Sequence, residues 1–448
     1  MIRRHWVMLA LFLAFHGDSL AQGSSAESAQ GEGAELEGRN LYVRQMTGKD
    51  RNDGLSPQTA LRSLSALGHR LRPGDVAYVG PGQYRESLVL LGGGTAEQPI
   101  TLVGDNMGLH TGDPAGLVLI AGSDPIDETI FAPGTEAGVY LARIDGKPVL
   151  GVTEMDGQQF RYSRAMETRQ HILEGMPPLE VVAQLPASYF WDEIEGILYI
   201  HTSDNRSANE HEIELIRRKH GIALNGTPFV VVKGFNIRHF SGAGIGMFPG
   251  SSNAITLQNT TYGCDDGIRA VGSAEVLVVG NISFRNGNSG IYFLSGSTDG
   301  VAVDNVVYEN VKGIRWGSRS DRGLLARNLA FHNLEAGISI ERASVLRLIS
   351  NSLVGNRETQ FQALQSDYYS EGNCFEVTGP SQLTVSLDHH RQFRALGEFR
   401  DAFRMDLTSA NERCRALANK VNVEALHAQA MALSKRDKES NTSNTDFP

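Results

Sequence analysis

Residues 228–373 align on themselves every 22 to 24 residues, and nothing else in the chain restricts its fold as severely. A copy that short cannot bury its own apolar face, so each must stack on the next and the whole must grow as a solenoid. Written as rungs, "ITLQNTTYGCDDGIRAV", "VLVVGNISFRNGNSGIYFL", "VAVDNVVYENVKGIRWG" and "LLARNLAFHNLEAGISIE" each read strand, turn, strand, turn, strand. Asparagine recurs at the first turn, as Asn259, Asn281, Asn305, Asn328, Asn351 and Asn373; glycine recurs at the second, as Gly244, Gly267, Gly290, Gly313 and Gly337. Both residue types tolerate left-handed backbone, which predicts that conformation at these corners. Stacked asparagines can also exchange amide hydrogen bonds from rung to rung. The 49 glycines and the low aromatic fraction of 7% agree with short strands and many turns.

On these repeats the chain resembles the right-handed parallel β-helix proteins of the pectate-lyase-like superfamily, which implies an all-β solenoid hosting carbohydrate chemistry. The likeness extends upstream through "TGKDRNDGLSPQTALRSLSAL", "PGDVAYVGPGQYRESL" and "QPITLVGD", a capping helix followed by the first rungs over residues 39–122. Ser56 as N-cap, Pro57 at the first helical position and Leu61, Leu64, Leu67 and Leu71 on one face predict that helix.

Residues 123–220 lack the period and contain "SYFWDEIEGILYIHT", two alternating strands about an acidic turn ending at Gly196, so they read as a β-rich insertion with a hairpin. Repeats resume over 221–385. A helical pattern over 386–433 predicts a C-terminal cap, and the polar residues 434–448 a disordered tail. Residues 1–21, with two early arginines, an apolar run and a small-residue site after Ala21, predict a signal peptide and a periplasmic or secreted protein. No later stretch is apolar for long enough to span a bilayer. Of three cysteines, Cys374 and Cys414 could pair and leave Cys264 single; the alternative is three buried thiols. A net charge of -10 argues against nucleic acid as a partner, since that needs a basic surface. A monomer is expected.

Strand alternation sorts the segment after each repeat glycine. Ile245, Ile268, Ile291, Ile314 and Ile338 form a core column. The next column, Gly246, Arg269, Tyr292, Arg315, Ser339 and Gln362, must then face out. Arg269 and Arg315 would stand about 10 Å apart, two rungs of strand spacing. Their planar forks suit a carboxylate or sulfate, and Tyr292 suits a sugar ring, so an acidic polysaccharide is the expected partner. Glu341 is a further substrate-binding candidate. Asp265 and Asp266 read as turn formers or as oxygen ligands for a cation such as Ca²⁺. Lys312 occupies the Asp266 position two rungs later, with Glu335, His332 and Glu341 on the rung beyond.

Three activities remain, of which a polysaccharide lyase acting on a uronic-acid glycan is the expected one. A polysaccharide lyase would use Arg269 or Arg315 to neutralise a uronate and Tyr292 or Lys312 to abstract the proton beside it. In the calcium-dependent lyases that the chain resembles, the groove carries several acidic ligands and a lysine or arginine base, where this chain has only the turn aspartates. A glycoside hydrolase would need two carboxylates; Asp265 and Glu335 are three rungs apart, about 14 Å, too far for such a pair. A glycan-binding protein without catalysis is the third.

Overall fold

The computed structural model describes residues 38–403, except 127–129, 145, 147, 157–159, 162, 165–174, 344, 380–382 and 389–390, together with Cys414. The expected signal peptide, most of the segment after residue 403 and the polar tail lie outside the described residues.

Three parallel sheets wind around one core. Sheet 1 has ten strands, from Asn40–Val43 to Tyr368–Glu371. Sheet 2 has nine, from Gly82–Tyr84 to Cys374–Glu376. Sheet 3 has ten, from Leu88–Leu90 to Leu383–Leu387 and the antiparallel Arg391–Phe393. Each rung contributes one strand to each sheet, as in Ile255–Leu257, Thr260–Tyr262 and Asp266–Val271. The predicted isoleucine column lies inside: Ile245, Ile268, Ile291, Ile314 and Ile338 are at most 1% exposed.

The asparagines at the corner between sheets 1 and 2 form one continuous ladder. Each Nδ2 donates to the Oδ1 of the next, from Asn259 to Asn373, at 2.9 to 3.1 Å. A second ladder, not read from the sequence, runs along the next corner through Asn286, Asn310, Asn333 and Asn356 and ends on Gln360.

The corners are not left-handed where expected. Positive φ falls on the residue before each first-ladder asparagine: Gln258, Gly280, Asp304, Arg327, Ser350 and Gly372. The repeat glycines answer a different need. A Cβ on Gly267 would meet the Ser283 Oγ at 1.9 Å and the Gly290 carbonyl at 2.6 Å, so the backbone comes too close to the interior for any side chain. Gly267 has no partner in the ladder, while the register is the same on either side of it, Asp266 pairing with Ala243 and Ile268 with Ile245. Strict alternation is broken there, and Asp266 and Arg269, three residues apart, meet on the same face.

The N-terminal helix is shorter than expected, Leu64–Gly68 capped by Ser63, because residues 56–59 close a hydrogen-bonded turn instead. Leu61, Leu64 and Leu67 are still buried as predicted, in the main core. At the other end the expected helical run begins as strands, Leu383–Leu387 and Arg391–Phe393, before the helix Leu396–Phe403 sets Leu396 and Phe399 into the core. Among the described residues no helix is long and apolar enough to cross a membrane.

The insertion leaves sheet 2 after Val118–Ala121 and returns at Ile222–Asn225. It holds a four-stranded and a five-stranded sheet, the latter containing the predicted hairpin Ser188–Asp192 with Ile197–His201, and has a hydrophobic cluster of its own. A buried group ties it to the solenoid. Glu214 meets Arg85 at 2.9 Å, Arg238 at 3.6 Å and the Ser123 hydroxyl at 2.5 Å. Farther along the outside of sheet 2, Tyr262, Phe284, Tyr308 and Phe331 stack with ring centroids 4.9 Å apart. Cys414 packs in that cluster and is disulfide-bonded to Cys374, while Cys264 is a free buried thiol.

Candidate functional site on the outer face of sheet 3

Register places Gly246, Arg269, Tyr292, Arg315, Ser339 and Gln362 on successive strands as predicted, but Tyr292 at 7% and Ser339 at 0% exposure are buried where open solvent was expected. Beside it runs a second column, Ala243, Asp266, Ser289, Lys312, Ala336 and Thr359, all buried except Lys312. The candidate residues therefore share one face. They fall into two neighbouring groups.

The first group is Asp265, Asp266 and Arg269. Arg269 donates from Nε to Asp266 and from Nη2 to Asp265, the latter at 2.7 Å. Asp266 is wholly buried and also accepts the Ser289 N–H at 3.0 Å. Burial pushes its carboxyl up to about 6, with the Asp265 charge adding to the rise and Arg269 opposing it. The two aspartates thus hold the arginine. The one group of metal-ligating side chains converging among the described residues lies elsewhere, in the insertion.

The second group is Tyr292, Lys312, Arg315, Glu335 and Glu341. Arg315 makes a two-pronged pair with Glu341 at 3.1 and 2.8 Å and lays its guanidinium 4.6 Å from the Tyr292 ring centroid. Lys312 Nζ reaches Glu341 Oε1 at 3.0 Å and Glu335 Oε2 at 3.6 Å. Those two oxygens can be no farther apart than the two distances laid end to end, about 6.6 Å. Burial acts to raise the Glu341 carboxyl, but hydrogen bonds from Arg315 and Lys312 outweigh it and hold the group below the usual range. Burial pushes the Tyr292 phenol up, so it stays protonated at neutral pH. His332 is not in this group; it packs edge-on against Phe331 at the corner after sheet 2.

One neighbour escaped the sequence reading. His220 stands 23 residues before Ala243, in the Asp266 column of the preceding rung, and its Nδ1 accepts the Ala243 N–H at 3.1 Å. Burial pushes the imidazole down to about 4, which leaves it neutral with Nε2 as the donor. Extending the repeat back into the end of the insertion would have found it.

The arginines were expected to stand free for an anion. Instead each cation named here is already held by a carboxylate, and the face is close to charge balance. Such a surface offers donors and acceptors side by side, the pattern that neighbouring sugar hydroxyls require.

The fold and this face define a right-handed parallel β-helix protein. Residues 217–375 match the family described as "Right handed beta helix region". Among solved structures, the chain is similar to a complex of XylC with xylose at 14% identity and a TM-score of 0.57, covering 78% of this chain and 66% of that one. It is also similar to pectate lyase Pel9A (11%, TM-score 0.45, 78% and 76% covered) and to the A-module of the Azotobacter vinelandii mannuronan C-5 epimerase AlgE4 (14%, 0.42, 71% and 76%). At 14% identity the likeness to the XylC structure is one of fold. The chain spans just under two thirds of the XylC structure. No curated protein matches it in sequence.

Proposed function

We propose that this protein is an exported carbohydrate-active enzyme that takes a glycan along the outer face of sheet 3 and hydrolyses a glycosidic bond with Glu335 and Glu341. The observation that carries this reading is the pair of carboxylates meeting one ammonium. Because both carboxylates approach Lys312 Nζ, their nearest oxygens lie no more than about 6.6 Å apart, close enough for the two groups to act on one bound sugar. Glu341, kept ionised by Arg315 and Lys312, would stabilise positive charge developing on the sugar ring. Glu335, on the turn before the strand and nearly half exposed at 45%, would deliver the proton. Tyr292, its ring already covered by Arg315, would present its hydroxyl edge. Export is supported by the character of residues 1–21 and by the Cys374–Cys414 disulfide, a bond typical of oxidising compartments.

A second reading, β-elimination on an acidic glycan, is favoured by the Arg269, Tyr292, Arg315 column. Because the phenol stays protonated, Tyr292 would protonate the leaving group; for Lys312 to act as base it would first have to lose the proton it shares with Glu335 and Glu341. A uronate would first have to displace an internal carboxylate from its arginine.

One assay separates the two. Purified protein is incubated with neutral and uronic-acid polysaccharides while reducing ends and ultraviolet absorbance are followed together. Reducing ends alone, lowered about 10²- to 10⁴-fold by Glu335→Gln and by Glu341→Gln, support hydrolysis; absorbance from unsaturated ends would replace it with elimination. Neither signal on any glycan would leave a binding protein.

A further inference from the structure

We propose that the insertion carries a divalent-cation site formed by Glu154, Asp156 and His211. Glu154 ends the strand Gly151–Glu154 and pairs antiparallel with Ile213. Continuing that register by two residues sets Asp156 opposite His211, just beyond the last paired residues. There the donor atoms converge. His211 Nδ1 lies 2.7 Å from Asp156 Oδ2 and 3.6 Å from Glu154 Oε1, and one ligand atom from each of the three residues falls within 4.8 Å of the others. Two ligands held about 2.1 Å from one metal ion stand some 3 to 3.5 Å apart in tetrahedral or octahedral arrangements, so small side-chain shifts would admit an ion.

The surroundings are those of a metal-binding imidazole. His211 is 1% exposed and Glu154 4%. Asp204 Oδ1 meets the far nitrogen, Nε2, at 3.1 Å, and Arg206 holds Asp204 in place at 2.6 Å. A carboxylate on the distal nitrogen fixes the tautomer that turns the other lone pair toward the metal. Outer contacts also orient the remaining ligands: the Ser203 hydroxyl donates to Glu154 Oε1 at 2.6 Å, and the Glu212 N–H donates to Asp156 Oδ1 at 2.6 Å. One imidazole nitrogen with two carboxylates suits Zn²⁺ or Mn²⁺ and leaves positions for water. Bound there, the ion would clamp the start of the strand Ile213–Ile216, which carries Glu214 to the solenoid, onto the end of the strand Gly151–Glu154.

The competing arrangement is a protonated His211 held by the same carboxylates with no metal. Chelator-treated full-length protein is titrated with Zn²⁺, and separately with Mn²⁺, by isothermal calorimetry, and its melting temperature is followed as each ion is added. The expected result is one ion per chain, a melting temperature that climbs with ion concentration, and a loss of affinity of about tenfold or more in Asp156→Asn. Because His211→Ala also removes a buried side chain and could fail to fold, Asp156→Asn, nearly identical in size, carries the test. Co²⁺ in place of Zn²⁺ should give a visible absorption band that this variant loses. Absence of saturable binding would overturn the proposal. So would binding that Asp156→Asn leaves intact, or that Asp265→Asn abolishes, since the ion would then sit on the turn aspartates of sheet 3.

Discussion

Replacing Asn305 with alanine cuts the first ladder at its middle. The Asn305 Oδ1 accepts the Asn281 N–H at 2.9 Å and the Asn281 Nδ2 at 3.1 Å, and its own Nδ2 donates to the Val278 carbonyl at 2.8 Å and to Asn328 Oδ1 at 2.9 Å. After truncation, the Asn281 Nδ2 still has the Thr256 and Val279 carbonyls, and Asn328 Oδ1 still has the Asn305 N–H. The Asn281 N–H and the Val278 carbonyl lose these bonds in a site where Asn281 is fully buried. Two buried polar groups at about 1 to 3 kcal/mol each, with about 1 kcal/mol for the void, give a loss of roughly 3 to 7 kcal/mol. That is a large share of the roughly 5 to 15 kcal/mol typical of a whole domain. Urea unfolding followed by circular dichroism measures it, with Asn288→Ala, one rung away and off both ladders, expected within about 0.5 kcal/mol of the parent. If Asn305→Ala loses less than about 1 kcal/mol at unchanged m-value, the ladder bonds are replaceable by water or by backbone, and the argument fails.

Gly267→Ala should cost about 1 to 3 kcal/mol or more, because the added methyl meets a hydroxyl and a carbonyl of the rung interior; a thermal melt indistinguishable from the parent would show that the rung can open without penalty. Asp266 makes stability depend on pH with a defined sign. Its folded carboxyl, at about 6, lies above the ordinary aspartate value of 3.8, so the folded state holds the proton more tightly. The contribution is full below pH ~4 and fades as pH rises through about 6, and Asp266→Asn should remove that slope; a parent whose stability climbs steadily over this interval would contradict the assignment. Reducing Cys374–Cys414, which closes a loop of sequence separation 40, should lower stability by about 4 kcal/mol on the chain-entropy estimate. Matching unfolding midpoints with and without reductant would show that the segment around Cys414 adds nothing to the fold.

Ion pairing on sheet 3 changes what a ligand must do there. Lys312 and Arg315 share Glu341, and Arg269 is held by Asp265 and Asp266, so the side chains are ordered before any sugar arrives. Ordering in advance lowers the entropic cost of binding. The same pairing weakens long-range attraction for a polyanion, since each positive charge has a negative one within hydrogen-bond reach.

What the sequence determined is whatever depends on its period. A parallel solenoid sets residues 22 to 24 apart side by side, so the asparagine line, the isoleucine interior and the outward order Arg269, Tyr292, Arg315 could all be read before any coordinates existed. The Cys374–Cys414 pair was legible as one of two alternatives for the three cysteines. Tertiary structure decided three other things. Side chains lean along the axis, so Glu341 reaches back to Lys312 and Arg315, 29 and 26 residues away, and counting rungs between Cα positions overestimates how far carboxylates stand from their partners. The break in alternation at Gly267 goes with a backbone that presses on the rung interior, and it put Asp266 and Arg269 on one face. The insertion follows no period, so neither its hold on the solenoid through Glu214 nor the meeting of Glu154, Asp156 and His211 has any regular spacing in the chain. Those contacts join residues brought together by strand pairing within the insertion and by its packing on the solenoid, which no repeat in the sequence records.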